Sequence, residues 1–352
     1  MDRDDTAALV EQVRAATAAR APLRIVGGDT KYFYGRPVQG EPLGTRGHRG
    51  ILRHDPAELV LTARGGTPLA EVESQLAGCG QRLPFEPPHF GPDATLGGIV
   101  ASGLAGPSRA WTGPLRDFVL GARVLTGDGR VLRFGGEVMK NVAGYDVARL
   151  MAGSLGILGV LLDVSLKVLP RPPAERTLAF EADEGTALAR LAELSRAALP
   201  LTAGAWMDGR LCLRFEGSDT TLDTVSARLG GEIVTNDTQL WRSLREQSHP
   251  FFAGDRPLWR CIVPPLVPPL TLDGPPLIEW NGQQRWYRGT PGASAFDAAA
   301  AVGGHATLFR HGTGEQARFA RLSDPVLRVH RALKREFDPA GILNPGHMYA
   351  DL

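Results

Sequence analysis

Only three cysteines occur in the 352 residues, Cys79, Cys212 and Cys261, and they are far apart, with no C-x-x-C between them. A cysteine-ligated iron–sulfur cluster or zinc site is therefore not expected, and an odd, sparse thiol count fits a reducing compartment. Neither sign of charge is in excess: 39 basic residues stand against 38 acidic ones. That balance leaves no basic footprint for nucleic acid. No apolar run reaches the roughly 18 residues that a membrane-spanning helix needs. The start, Met1-Asp2-Arg3-Asp4-Asp5, is acidic and lacks the apolar core of a secretory signal. The expectation is a cytoplasmic protein whose membrane contact is at most peripheral, at the inner face and through partners. Internal repeats and low-complexity tracts are missing as well.

Glycine and proline are plentiful, with 43 and 27 residues, so tight turns and close backbone approaches must be many. A hydrophobic content of 43% and a charged content of 22% mark a globular chain, long enough for more than one domain. One stretch, residues 92–106, holds four glycines, one carboxylate and no lysine or arginine. Such a run can bring backbone N–H groups close to an anion, with Thr95 and Ser102 adding hydroxyls. It reads as a cradle for a large phosphate-bearing cofactor, and taken alone it reads equally as a structural loop. A second stretch, Gly27-Gly28-Asp29-Thr30-Lys31, follows the short strand 23–26 and makes a plausible pyrophosphate loop. It is neither G-x-x-x-x-G-K-[ST] nor G-x-G-x-x-G.

The remaining pattern is mixed. Helical spacing occurs at 6–20, 68–78, 185–199, 220–229 and 238–247. Strands are expected near 58–62, 160–168, 201–206, 211–216 and 259–263, with paired strands at 277–280 and 284–288. Residues 118–126 and 130–134 flank Gly127-Asp128-Gly129 as a hairpin. A short helix is expected around 147–152 after 141–146. Ser323-Asp324-Pro325 opens a helix to about Phe337. Pro170, Pro172 and Pro173 mark a domain boundary.

Four segments, at 27–35, 94–106, 144–170 and 338–348, resemble in order the pattern of the vanillyl-alcohol-oxidase superfamily of PCMH-type FAD-binding flavoproteins. Ala94-Thr95-Leu96-Gly97-Gly98 resembles the family's second flavin-contacting loop, and Gly153-Ser154-Leu155-Gly156-Ile157-Leu158-Gly159 its signature before the last strand. Within the superfamily, the length, Trp259-Arg260, the Glu279-Trp280-Asn281-Gly282 to Arg285-Trp286 stretch and the ending are similar to the FAD-binding E subunits of bacterial glycolate oxidases. The resemblance implies an α+β fold. A two-lobed FAD-binding domain would span 1–172, with lobes 1–62 and 63–172. An α+β cap would span 173–312, and the C-terminal helix and tail, 313–352, would pack on the FAD domain. It implies FAD, with Gly27, Gly28, Asp29, Thr30 and Lys31 at the pyrophosphate. Pro87, Thr95, Leu96, Gly97, Gly98 and Gly103 would lie along the flavin and ribityl chain. Gly156, Ile157 and Val160 would sit near the adenosine or pyrophosphate, and Asn344 near the flavin.

Departures from the family pattern set further expectations. Many relatives attach FAD through a histidine in the first loop, whereas 27–31 has neither histidine nor cysteine, so non-covalent FAD is expected. Asp29 sits awkwardly beside a pyrophosphate; it is expected to point away and accept backbone hydrogen bonds, with Lys31 offsetting its charge. His305 and His311 are six apart and would share one face of a strand, but the rest of the related metal motif is missing, so a packed strand and no metal are expected. Arg260, Arg285 and Arg288 are candidates to clamp a carboxylate substrate, and Tyr145 is a candidate proton acceptor. Each reads also as an ordinary surface or interface residue. The function implied is the flavoprotein subunit of a glycolate oxidase, with glycolate going to glyoxylate. Its partners would be a larger FAD-binding subunit and an iron–sulfur subunit. The alternatives are a stand-alone FAD oxidoreductase for another 2-hydroxy acid or alcohol, and a structural subunit without turnover.

Overall fold

The structure is a computed structural model that describes residues 2–136, 145–289, 294–312 and 316–352. The chain divides into two compact units. The first is Met1–Leu104, Pro114–Pro170 and Arg321–Leu352; the second is Ala105–Gly113 and Arg171–Ala320. Ala105–Gly113 thus goes with the second unit, although it lies inside the sequence range expected for the first.

In the first unit, α1 (Thr6–Ala19) buries Leu9, Val13 and Ala16 along one stripe and ends at the left-handed Arg20. Pro22 bars its continuation. Strand β1 (Leu23–Val26) pairs in parallel with β2 (Glu41–Gly44). Next come β3 (Ile51–Asp55), β4 (Val60–Arg64), β5 (Gln81–Arg82), β6 (Val119–Leu125), β7 (Val131–Gly135), β8 (Val160–Lys167) and β9 (Leu169–Pro170). An antiparallel five-stranded sheet runs β3-β4-β8-β6-β7. The β6–β7 pair is the hairpin around Gly127-Asp128-Gly129. Leu9, Val13, Leu23, Leu43, Leu162 and Leu343 share one core, so α1, β1, β2, the sheet and the C-terminal tail close on each other. That burial, at about 25 cal/mol per Å² of apolar surface, is what fixes the end of β1 in place.

Two further helices serve the site. α2 (Leu69–Gly78) follows Pro68, which is its N-cap residue. α3 (Leu96–Ser102) lies inside the stretch 92–106, which the sequence alone presents as a loop. Gly97 and Gly98 disfavour a helix by roughly 1 kcal/mol each. The Thr95 cap at one end and the left-handed Gly103 at the other define it. α4 (Arg109–Thr112) belongs to the second unit and α5 (Val147–Leu150) to the first. The expectation for 141–144 lies outside the described residues.

The second unit is built on an eight-stranded antiparallel sheet. Its strands are β10 (Ala174–Glu181), β11 (Leu201–Met207), β12 (Arg210–Gly217), β13 (Glu232–Ile233), β14 (Leu258–Ile262), β15 (Leu277–Glu279), β16 (Gln284–Arg288) and β17 (His305–Arg310). Their order is β13-β10-β12-β11-β15-β16-β14-β17. Helices α6 (Glu184–Leu194), α7 (Asp219–Leu229), α8 (Asp237–Arg245) and α9 (Ala295–Ala301) accompany it. α6 is capped by Asp183 and stops at Leu194, short of the expected 199; Pro200 already holds Leu199 out of the helical region. β17 ends at Arg310, and His311 is left-handed at φ 57°. His305 and His311 therefore do not share a strand face. From Arg321 the chain rejoins the first unit through α10 (Asp324–Phe337).

Candidate functional site

A cleft in the first unit is lined by the end of β1, the start of α3, the turn before β8 and the C-terminal tail. After Val26 the chain turns through Gly27-Gly28-Asp29-Thr30-Lys31, and all five line the cleft. A Cβ on Gly28 would stand 1.6 Å from the backbone oxygen of Asp93, so only glycine fits there. The N–H groups of Gly27, Gly28, Asp29 and Thr30 meet no acceptor among the described residues. Buried or half-buried N–H groups need acceptors, and a run of them around a concave surface is a ready anion site.

Asp29 is left-handed at φ 58°. Its two carboxylate oxygens each lie 3.2 Å from one Arg24 nitrogen. Arg24 therefore offsets its charge, a partner that the sequence reading does not name. Lys31 Nζ donates to the backbone oxygen of His89 at 3.0 Å and to Thr30 Oγ1 at 3.3 Å.

The second glycine segment behaves differently. Leu96 N–H donates to Thr67 O at 2.9 Å, Gly97 N–H to Gly65 O at 2.7 Å and Ile99 N–H to Thr95 O at 3.0 Å. Gly98 N–H reaches Thr95 Oγ1 at 3.3 Å. These donors are already committed, so the segment contributes closeness rather than a phosphate cradle. A Cβ on Gly97 would stand 3.0 Å from Gly65 O, and one on Gly103, at φ 64°, 2.9 Å from Gly153. Thr95, Gly97, Gly98 and Ser102 line the cleft. Leu96 is fully buried on the far side of α3, and Gly103 is the helix cap.

The turn before β8 carries left-handed Leu155 and Gly156, at φ 52° and 73°. Gly156 and Val160 line the cleft, whereas Ile157 is buried in the core. Asn344 ties the pieces together. Its Nδ2 donates to Leu155 O and its Oδ1 accepts from Ile25 N–H, both at 2.8 Å. Lys334 acts one layer behind: Nζ donates to Ile157 O at 2.8 Å and Leu343 O at 2.7 Å, and pairs with buried Asp338 at 2.8 Å. Burial pushes the Lys334 ammonium down from its ordinary range. Pro87 is buried and does not line the cleft.

Of the catalytic candidates, Tyr145 belongs to the first unit and Arg260, Arg285 and Arg288 to the second. Tyr145 is 97% exposed. Arg285 is fully buried in the second unit, where it donates to the carbonyl oxygens of Gly282, Pro268 and Val267. It is an internal strut, and burial lowers its pKa. Arg288 Nη1 donates to Phe251 O at 3.2 Å, and Arg260 lies over the Phe309 ring at 5.2 Å. His305 is held down by burial and by Arg260 and Arg109. Burial pushes Cys212 up to about 11 and Cys261 to about 12, so both thiols stay protonated and inert.

Several cleft residues are not singled out in the sequence, His347 among them, although it lies in the 338–348 segment. His347 is buried, only 8% exposed, with its ring against Gly35 and Tyr32. Its Nδ1 lies 2.6 Å from Arg36 O. A single histidine in a proline- and glycine-rich tail carries no signal that would have singled it out.

An FAD binding domain model matches residues 4–135, and the C-terminal domain model of FAD linked oxidases matches residues 281–348. Over 350 residues the chain is 49% identical to glycolate oxidase subunit GlcE of Escherichia coli strain K12, covering 99% of both. The chain belongs to the glycolate oxidase E-subunit family of FAD-linked oxidases. Its class is therefore FAD-dependent oxidoreductase, and its cofactor is FAD. Over 128 residues the chain is also 32% identical to glycolate oxidase subunit GlcD of Bacillus subtilis strain 168, covering 36% of this chain and 27% of that one. The fold is that of PCMH-type FAD oxidases: p-cresol methylhydroxylase superposes with a TM-score of 0.73 at 15% identity, covering 97% of this chain and 87% of that one. The 4-ethylphenol oxidase of Gulosibacter chungangensis gives 0.69 at 15% identity, covering 98% and 88%. Among the described residues no helix is long and apolar enough to cross a membrane.

Proposed function

We propose that this chain is the FAD-binding subunit of a multi-subunit glycolate oxidase. Glycolate would be oxidised to glyoxylate and the electrons passed to partner subunits, a larger FAD-binding subunit and an iron–sulfur subunit. The observation that carries this reading is the 49% identity to an E subunit over 99% of both chains. FAD supplies the two-electron acceptor chemistry, which no side chain of the protein offers. The chain's own part is to hold it. The four unengaged N–H groups of Gly27, Gly28, Asp29 and Thr30 fit the pyrophosphate. Thr95, Gly97 and Gly98 give the close backbone approach that a broad ring needs, and Gly156, Val160 and Asn344 close the other wall. No histidine or cysteine stands in the 27–31 loop, so the cofactor is held without a covalent bond.

A second reading concerns where glycolate reacts, and it is favoured by the state of the arginines. Arg285 is fully buried and each of its three guanidinium nitrogens donates to a backbone oxygen, which leaves it poorly placed to clamp a carboxylate. On this reading the substrate site lies in the larger subunit, and this chain relays electrons.

The test is the visible spectrum of the full chain, purified alone and then with its partners, before and after anaerobic glycolate. Flavin bands near one per chain, released by acid, are expected. Bleaching by glycolate only in the assembled complex supports the relay. Bleaching in the isolated chain places the substrate site here and overturns the relay. A chain with no flavin in either state overturns the cofactor assignment.

A further inference from the structure

We infer that His347 supplies a positive charge to the FAD pyrophosphate by taking up one proton when the cofactor binds. This rests on the reading of the cleft given above, with the 27–30 loop at the pyrophosphate.

The inference starts from the charge around that loop. FAD brings two negative phosphates. Among the described residues lining the cleft, the charged side chains are Asp29 and Lys31, together with titratable His347, Tyr32 and Tyr34. Arg24, beside the loop, is matched by Asp29. Lys31 is held by His89 O and Thr30 Oγ1. The loop therefore offers N–H dipoles and one partly engaged ammonium to a dianion.

His347 is placed to supply the rest. Arg36 O can only accept, so Nδ1 carries a proton and donates to it. In the neutral ring, that leaves Nε2 as a bare lone pair. Nε2 has no hydrogen-bond partner among the described residues, and the ring lines the cleft. Gly35 makes room for the imidazole, since a Cβ there would stand 2.4 Å from its Cε1. Tyr32 stacks at 6.4 Å on the ring, 16° from parallel. A bare lone pair facing phosphate oxygens is repulsive, whereas a protonated Nε2 makes a charge-assisted hydrogen bond.

The protonation state follows from the surroundings. Burial lowers the His347 pKa, while Arg36 O and the Asp29 carboxylate pull the other way. The free protein therefore holds it neutral at pH 7. A bound dianion stabilises the imidazolium and raises that pKa. Between the two values, binding takes up one proton from water, and affinity falls about tenfold per pH unit as pH rises. Below the free value and above the bound one, the dependence vanishes.

The experiment is calorimetry of the flavin-free full chain at pH 7 in two buffers of different ionisation enthalpy. FAD, ADP-ribose and riboflavin are titrated in turn, and FAD again into His347→Gln, whose fold is checked by thermal melting. ADP-ribose carries the same doubly esterified pyrophosphate as FAD, with no phosphate proton that titrates near pH 7. The expected result is close to one proton taken up with FAD and with ADP-ribose, none with riboflavin, and none with FAD in the variant. If the variant fails to fold, the contrast between ADP-ribose and riboflavin in the native chain decides alone. FAD binding without proton uptake, or the same uptake in the variant, overturns the role of His347 and leaves the cleft reading standing. A chain that binds none of the three overturns both.

Discussion

The two glycine-rich segments of the first unit resemble each other in sequence and use their N–H groups in opposite ways. In 27–30 the groups are unengaged and face the cleft. In 96–99 every one is committed to Thr67, Gly65 or Thr95. Glycine serves both, for different reasons. In the first it lets a turn pass under Asp93, and in the second it lets a helix sit against Gly65 and Gly153. A glycine run therefore says that backbones come close. Only the destination of the donors says whether a ligand is held.

The sharpest way to break this contrast is Gly28→Ala. A methyl group 1.6 Å from a backbone oxygen cannot be accommodated by a side-chain shift, so the loop must move. FAD retention, read as the ratio of flavin to protein absorbance, should fall at least about 100-fold, with a stability loss of about 1–3 kcal/mol. Gly103→Ala should do the reverse. It places a side chain at φ 64° and against Gly153, costing about 2 kcal/mol in urea unfolding. The FAD affinity of the folded protein should stay within about twofold, since stability loss alone leaves a bound state's contacts intact. If affinity falls and stability does not, the two segments do not differ as described. Thr95→Ala removes the α3 cap and should lower stability by about 1 kcal/mol, read from the urea midpoint. The smallest change is Arg24→Gln. The Arg24–Asp29 pair is partly exposed, at 26% and 48%, so stability should move by less than about 1 kcal/mol. FAD binding should nevertheless weaken several-fold, and less so at high salt, because Asp29 is left uncompensated beside the phosphates.

The sequence shows the contrast only in part. The 27–31 loop is legible because it follows a short apolar strand. The β6–β7 hairpin is legible from Gly127-Asp128-Gly129, and α10 from Ser323-Asp324-Pro325. α3 is not, because two glycines in its first turn argue against any helix, and tertiary hydrogen bonds decide the matter. β10 is hidden behind Pro172 and Pro173 and carries charged Glu175 and Arg176 just after its first residue, Ala174, so its apolar character is not visible until the buried stretch Thr177 to Ala179. The substrate-clamp reading of Arg285 fails for a related reason: a guanidinium in a strand looks the same in sequence whether it faces water or three carbonyl oxygens. His347 and Lys334 act through partners some 310 and 180 positions away, Arg36 and Ile157. Single-sequence patterns do not reach that far.

Asn344 joins Ile25 to Leu155, so one wall of the cleft is braced by a residue 319 and 189 positions away from its two partners. The pocket is therefore a long-range assembly, and neither the loop at Gly28 nor the turn at Leu155 is braced until this distant segment has docked. A chain nicked between Leu155 and Asn344 should keep its cleft only while the two pieces stay associated.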